Sequence, residues 1–264
     1  MGVEIPGFSG GDRTDIVLPA PQRELMEAIV ATGKPVVLVL LNGSALAVNW
    51  AADNVSAILE AWYPGQAAGT AIADVLFGDY NPAGRLPVTF YKSVDQIPPF
   101  SDYDMDGRTY RYFGGDPLFP FGHGLSYTTF AYSELELPET AQTGAGVQLS
   151  VTVENTGSVS GEEVVQIYLT DLEASAPVPI RSLVGIERVL LQPGEQKRLS
   201  FALTERQLSL IDAKAERVVE PGLFEVSVGG KQPGYAGTAD TPTTDVVIGT
   251  FEVLGESSSP STDN

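Results

Sequence analysis

The feature that most constrains this chain is a change of hydrophobic period near its middle. From Val147 onward apolar residues alternate with polar ones, Val147, Leu149, Val151 and Val153 being separated by Gln148, Ser150 and Thr152. The alternation recurs in Val165, Ile167 and Leu169, in Leu199, Phe201 and Leu203, and in Phe224, Val226 and Val228. Successive strand side chains point to opposite faces, so a period of two describes strands with one buried face. Asn155-Thr156-Gly157, Pro193-Gly194 and Pro221-Gly222 punctuate these runs as turns. Several such strands in succession predict an antiparallel β-sandwich over 128–255.

The first half follows a different rule. Leu25, Met26, Ile29 and Val30 fall on one helical stripe between Pro21 and Thr32, with Gly33 as a stop. Pro35 to Leu41 is a continuous apolar run, the pattern of a parallel strand covered on both faces, and Asn42-Gly43-Ser44 is the turn after it. Ala57 to Trp62 reads as a second parallel strand. Gln66 to Phe77 reads as a helix burying Ala68, Ile72, Val75 and Leu76, with Gly78 as its stop. The fold class is therefore α/β followed by all-β. Two or three strands are few for an independent doubly wound sheet, so the α/β part is expected to be truncated on its N-terminal side. Asn81 to Tyr127 is rich in proline, glycine and aromatic residues, and an irregular stretch of this length is functional or wraps over another domain.

Composition excludes several functions. The chain has 264 residues and a net charge of −19, which repels phosphate backbones and anionic lipid, so no nucleic-acid or membrane role is expected. No cysteine is present and His123 is the one histidine, so neither a thiolate nor a multi-histidine metal centre can form. No cofactor is implied. The residues from Met1 to Gly7 lack the basic and apolar regions of a signal peptide, and no apolar run approaches the ~20 residues of a membrane span.

Five motifs, in order, carry a family resemblance. They are Pro6-Gly7-Phe8-Ser9-Gly10-Gly11-Asp12-Arg13-Thr14; Lys34 to Val39 with Asn42-Gly43; Ala61-Trp62-Tyr63-Pro64-Gly65-Gln66; Leu76-Phe77-Gly78-Asp79-Tyr80-Asn81-Pro82-Ala83-Gly84-Arg85-Leu86-Pro87; and Pro120-Phe121-Gly122-His123-Gly124-Leu125-Ser126-Tyr127. Together they resemble the C-terminal portion of family 3 glycoside hydrolases of the β-glucosidase/β-xylosidase type, and Val164, Gln166, Tyr168 and Arg181 to Val189 fit that family's terminal fibronectin-III-like sandwich. The chain is thus expected to divide into the C-terminal part of an α/β sandwich domain over 1–92, an irregular linker wrapping between domains over 93–127 and the β-sandwich over 128–255, while 256–264, rich in serine and acid, is expected to be a disordered tail. The resemblance implies a retaining mechanism that needs two carboxyls about 5 Å apart, one on an N-terminal (β/α)8 barrel and one on the α/β domain. The barrel is absent from this chain. The acidic run expected to carry the acid/base in relatives would lie just before Met1, so both catalytic carboxylates are expected to be missing.

The candidate site residues follow from that frame. Glu4 is the carboxylate nearest the acid/base position, although a solvated loop residue is the plainer reading. Asp12 and Arg13 would border the mouth of a substrate site or fix their glycine loop as an ion pair. The Gly10-Gly11 pair is not followed by Lys-Ser/Thr and is no phosphate cradle. Trp62 and Tyr63 end a strand, where an aromatic face would stack on a sugar or seal the core. Tyr110, with Tyr103, Arg108, Arg111 and Tyr112, would line a sugar subsite or dock on the barrel. His123 lies between two glycines and reads as a packing residue, with no triad spacing around it. The expected substrate is a β-glucoside or β-xyloside, met through the full-length enzyme. The competing reading is a stand-alone carbohydrate-binding or scaffolding module without catalysis. A sheet edge left open would further suit an interaction protein or a homo-oligomer.

Overall fold

Pro21 in its first turn and Gly33 beyond its last bracket the first helix, α1 (Ala20–Val30), and Gly33 takes φ +71°, a conformation glycine adopts without a Cβ clash. The computed structural model describes residues 15–99, 101–235 and 243–260. They form two units, each treated separately: one from the residues before Asn81 together with Leu86–Phe121, the other from Asn81–Arg85, Gly122–Gly234 and the C-terminal stretch.

In the first unit, β1 (Val37–Leu40) pairs in parallel with β2 (Ala57–Glu60) in the register Val37↔Ala57 to Leu40↔Glu60. The short α2 (Asn49–Asn54) lies in the crossover, and α3 (Ala68–Phe77) follows β2 and ends at Gly78, also left-handed. Met26, Leu40, Leu46, Val48, Ala51, Phe90 and Leu118 form the core, with Leu38, Ile58, Trp62 and Phe119 packed against it. The helices and strands thus lie where their patterns placed them, but their burial differs. On α1 Met26 alone is buried, and Leu25 and Ile29 are 62% and 44% exposed. No residue of α3 is fully buried, and Leu76 is exposed. β1 is not covered on both faces either, since Val37 is exposed. The reason is the size of the sheet: among the described residues it has two strands, so apolar positions that periodicity marks as inward have no layer opposite them. Among the described residues, no helix is long and apolar enough to cross a membrane.

The second unit is the β-sandwich. Its strands begin with β3 (Phe130–Glu136), β4 (Thr140–Gln142), β5 (Val147–Asn155), β6 (Gly161–Asp171) and β7 (Ser182–Leu191). They continue with β8 (Gln196–Leu203), the two-residue strands β9 (Leu210–Ile211) and β10 (Arg217–Val218), then β11 (Gly222–Gly229) and β12 (Val246–Leu254). One sheet has the order β3-β5-β8 and the other β4-β12-β11-β6-β7, antiparallel throughout except for β4 beside β12. Val147, Leu149, Val151 and Val153 of β5 pack in one core with Val165, Ile167 and Leu169 of β6 and Val226 and Val228 of β11. Each is buried, and each such side chain contributes about 1.5–3 kcal/mol relative to exposure. Phe224 and Phe251 stack beside them at 5.5 Å.

Two expectations change here. On β6 the alternation fails: Gln166 and Tyr168, which it places outward, are as buried as Ile167. The second buried face is covered at Gly122, whose carbonyl accepts a hydrogen bond from Gln166 Nε2 at 3.1 Å. The stretch 256–264, expected to be disordered, is tied down at Ser258, which exchanges backbone hydrogen bonds with Val219 in both directions. Val219 is itself core, so its neighbouring backbone needs a partner out of water. Residues 261–264 lie outside the described residues.

Candidate functional site

In open parallel sheets ligands sit beyond the carboxyl ends of the strands, here just past Leu40 and Glu60. Asn42 follows β1 and spans the gap, its Nδ2 donating to the Ser44 carbonyl at 2.8 Å and to Glu60 Oε2 at 3.2 Å. The other carboxylate oxygen of Glu60 accepts the Trp62 backbone N–H at 3.0 Å. Partial burial raises the Glu60 carboxyl above its ordinary value, opposed by the hydrogen bonds from Trp62 and Asn42. Asn42 Oδ1 is buried and has no hydrogen-bond partner among the described residues. Trp62 has φ +52°, sparsely allowed for a residue with a side chain. Its indole is edge-on to Phe90 at 6.0 Å and packs against the core. Tyr63, 79% exposed, lies over Gly43 so closely that a Cβ there would meet its Cε2 at 2.5 Å. Glu60 was not among the expected residues, yet a carboxylate inside the apolar run Ala57-Ile58-Leu59-Glu60-Ala61 is a signal the sequence carried.

The aromatic and basic cluster is organised by one guanidinium. Arg108 Nε donates to the Asp104 carbonyl at 3.0 Å, and its Nη2 donates to the carbonyls of Pro99 and Asp102 at 2.9 and 2.6 Å. Its donors thus hold their own loop. Thr109 takes φ +55° and its N–H donates to the Tyr91 hydroxyl at 3.0 Å, after which Tyr110 stacks on Phe121 at 4.2 Å. Tyr103 is 88% exposed. Among the described residues no group of three or more His, Cys, Asp or Glu side chains is placed to hold a metal ion.

A third constellation lies in the sandwich. Arg85 Nη2 donates to Glu163 Oε2 at 2.9 Å, Arg85 Nε to the Gly230 carbonyl at 3.2 Å, and Arg85 Nη1 to the carbonyls of Ala83 and Gly84. Glu163 Oε1 accepts from the Tyr132 and Thr244 hydroxyls at 2.9 and 2.8 Å. Burial pushes the Glu163 carboxyl up despite the attraction of Arg85 and these donors. It pushes the Tyr132 phenol well above its ordinary value, and the neighbouring carboxylate adds to that shift. Every oxygen and nitrogen here faces a protein partner, which is the arrangement of a structural lock.

Of the expected site residues, Glu4, Asp12 and Arg13 lie outside the described residues. Trp62 joins Glu60 and Asn42 at the strand ends, and Tyr110 is stacked on Phe121.

Known proteins resemble the chain along nearly all of it. The family description of the glycosyl hydrolase family 3 C-terminal domain matches residues 4–127, and that of the fibronectin type III-like domain matches 163–232. A xylan 1,4-beta-xylosidase of Xylanibacter ruminicola is 47% identical over 87% of the chain, which spans 26% of that relative. A periplasmic beta-glucosidase of Salmonella typhimurium is 45% identical over 82% of the chain, which spans 30% of that protein. Among solved structures, a β-glucosidase of Erythrobacter marinus superposes on 95% of the chain with a TM-score of 0.80 at 38% identity, the chain covering 32% of it. A beta-glucosidase of Listeria innocua in complex with glucose superposes on 93% with a TM-score of 0.80 at 35% identity, and 34% of it is covered. The chain therefore belongs to glycoside hydrolase family 3, of which it carries the C-terminal α/β domain and the fibronectin type III-like domain.

Proposed function

We propose that this chain is the non-barrel portion of a retaining β-glucosidase or β-xylosidase that removes terminal β-linked sugars from oligosaccharides or glycosides. One observation carries the reading: relatives named β-xylosidase and β-glucosidase align along most of the chain, yet the chain spans only about a quarter to a third of their length. A (β/α)8 barrel takes roughly 250 residues, and the described residues build a two-stranded parallel sheet and a sandwich instead. Retaining hydrolysis needs a nucleophile and an acid/base about 5 Å apart, so a chain without the nucleophile's domain has no route to the glycosyl intermediate. Glu60 does not replace it: its oxygens are held by Asn42 and the Trp62 backbone. In this reading Asp12 and Arg13 border the mouth of the site, and Trp62 and Tyr110 support it from behind through their packing on Phe90 and Phe121.

The purified chain is expected to release no nitrophenol from aryl β-glucosides or β-xylosides. Saturable release that survives repeated purification would overturn the reading.

A further inference from the structure

Of the six asparagines in the chain, Asn42 is the one followed by glycine. The side-chain carbonyl carbon of an asparagine is open to attack by the next residue's backbone nitrogen, and glycine, having no Cβ, shields that nitrogen least. Asn81 is the opposite case, since Pro82 after it has no N–H to attack with. Gly43 and Ser44 are exposed in the turn after β1, so water reaches the place where the attack would occur.

The folded turn holds the reacting groups in place. Nδ2, the nitrogen that would leave, donates to the Ser44 carbonyl at 2.8 Å and to Glu60 Oε2 at 3.2 Å. Glu60 is itself fixed by accepting the Trp62 N–H at 3.0 Å, so the Asn42 amide is tied across the carboxyl ends of β1 and β2. The Tyr63 ring lies over Gly43, its Cε2, hydroxyl oxygen and Cζ standing 2.5, 2.9 and 3.0 Å from where a Cβ would be. Attack makes Cγ tetrahedral and expels Nδ2, so both hydrogen bonds of that nitrogen are lost on the way.

We propose that Asn42 is a latent deamidation site, whose rate is set by the opening of its tie to Glu60 and of the Tyr63 cover. In the open turn the Gly43 nitrogen bonds to Asn42 Cγ and the Cγ–Nδ2 bond breaks. Ammonia leaves with the proton that the Gly43 nitrogen gives up. Water then opens the cyclic imide at either carbonyl, leaving an aspartate or an isoaspartate. Neither has an amide N–H to donate to Glu60, and the aspartate sets a second carboxylate beside one that burial already disfavours in its charged form. The tie between the ends of the two strands therefore does not re-form. Modification at Asn42 records how often the turn has opened.

The test is peptide mapping by mass spectrometry after incubation at mildly alkaline pH. It compares the native chain, the same chain unfolded in guanidinium chloride, and the variant Tyr63→Ala. Conversion of amide to acid, located at Asn42 by fragmentation, is expected to run on the order of tenfold faster in Tyr63→Ala than in the native chain, and faster again in the unfolded chain. Equal rates in the native and unfolded chains overturn the proposal, and so does an unchanged rate in a folded Tyr63→Ala. Tyr63 is 79% exposed, so its truncation leaves the core in place, and circular dichroism checks that it does. Should the variant fail to fold, the comparison of native with unfolded chain decides alone.

Discussion

Arg85 and Glu163 meet at 2.9 Å with side chains 6% and 0% exposed, a buried ion pair formed across 78 positions of sequence. Their energetics are asymmetric. Desolvating both charges cancels much of their attraction, yet removing one strands the other. Arg85→Met alone and Glu163→Ala alone are each expected to lower the unfolding free energy by about 3–5 kcal/mol in urea titrations. The double variant Arg85→Met/Glu163→Leu should recover most of that loss. Additive losses in the double variant would show that the two residues do not act as a pair.

The same pair gives a pH signature. Burial raises the Glu163 carboxyl above its ordinary value, so the folded chain holds that proton more tightly than the unfolded chain. Its contribution to stability is complete below the ordinary carboxylate pKa and is lost as pH rises through the raised value. Glu60 and Asp171 are raised by burial too, so the comparison must isolate Glu163. Across that acidic window the urea midpoint of the native chain should fall with rising pH more steeply than that of Glu163→Gln. Parallel profiles would contradict the assignment.

Gly124 faces the Gly84 backbone, which cannot swing aside as a flexible side chain would. Gly124→Ala is expected to cost at least about 3 kcal/mol, the upper range of overpacking. Gly194, where a Cβ would meet no atom of the described residues within 4 Å but φ is +74°, provides the control: Gly194→Ala meets only the left-handed penalty, about 1–2 kcal/mol. Thermal unfolding of the two variants separates close approach from backbone strain, and equal losses would reject the distinction.

Ala215 sits exposed in the turn between β9 and β10 with φ +61°. An L-residue there costs about 1–2 kcal/mol, while glycine adds about 0.5–1 kcal/mol of unfolded-state entropy. Ala215→Gly should therefore raise stability by roughly 0.5 kcal/mol, a shift of the urea midpoint without a change of slope. A fall of similar size would show that the turn relaxes to accommodate the methyl group.

Local patterns carried much of this fold and little of its burial. Period two in Val147 to Val153 and Phe224 to Val228 marks strands because the signal lies in adjacent residues. The helix from Pro21 and the strands ending at Leu40 and Glu60 were legible for the same reason. What a pattern does not contain is the identity of the covering layer. Leu25, Ile29 and Leu76 read as inward although they stay exposed, and Gln166 and Tyr168 read as outward although both are buried, Gln166 against the Gly122 carbonyl. Glu163 follows another glutamate at a strand start and looks like a solvated pair, since its partner Arg85 is distant in sequence. At the strand ends Trp62 was visible as an aromatic in a ligand-type position, but its left-handed backbone and its contact with Phe90 depend on tertiary packing.

The most direct measurement joins the chain to what its relatives have beyond it. A chimera placing the N-terminal remainder of the Xylanibacter ruminicola xylan 1,4-beta-xylosidase ahead of this chain is assayed on aryl β-xyloside, beside each part alone. The predicted result is nitrophenol release by the chimera and none by this chain. Release by this chain alone at a rate comparable to the chimera would contradict the account.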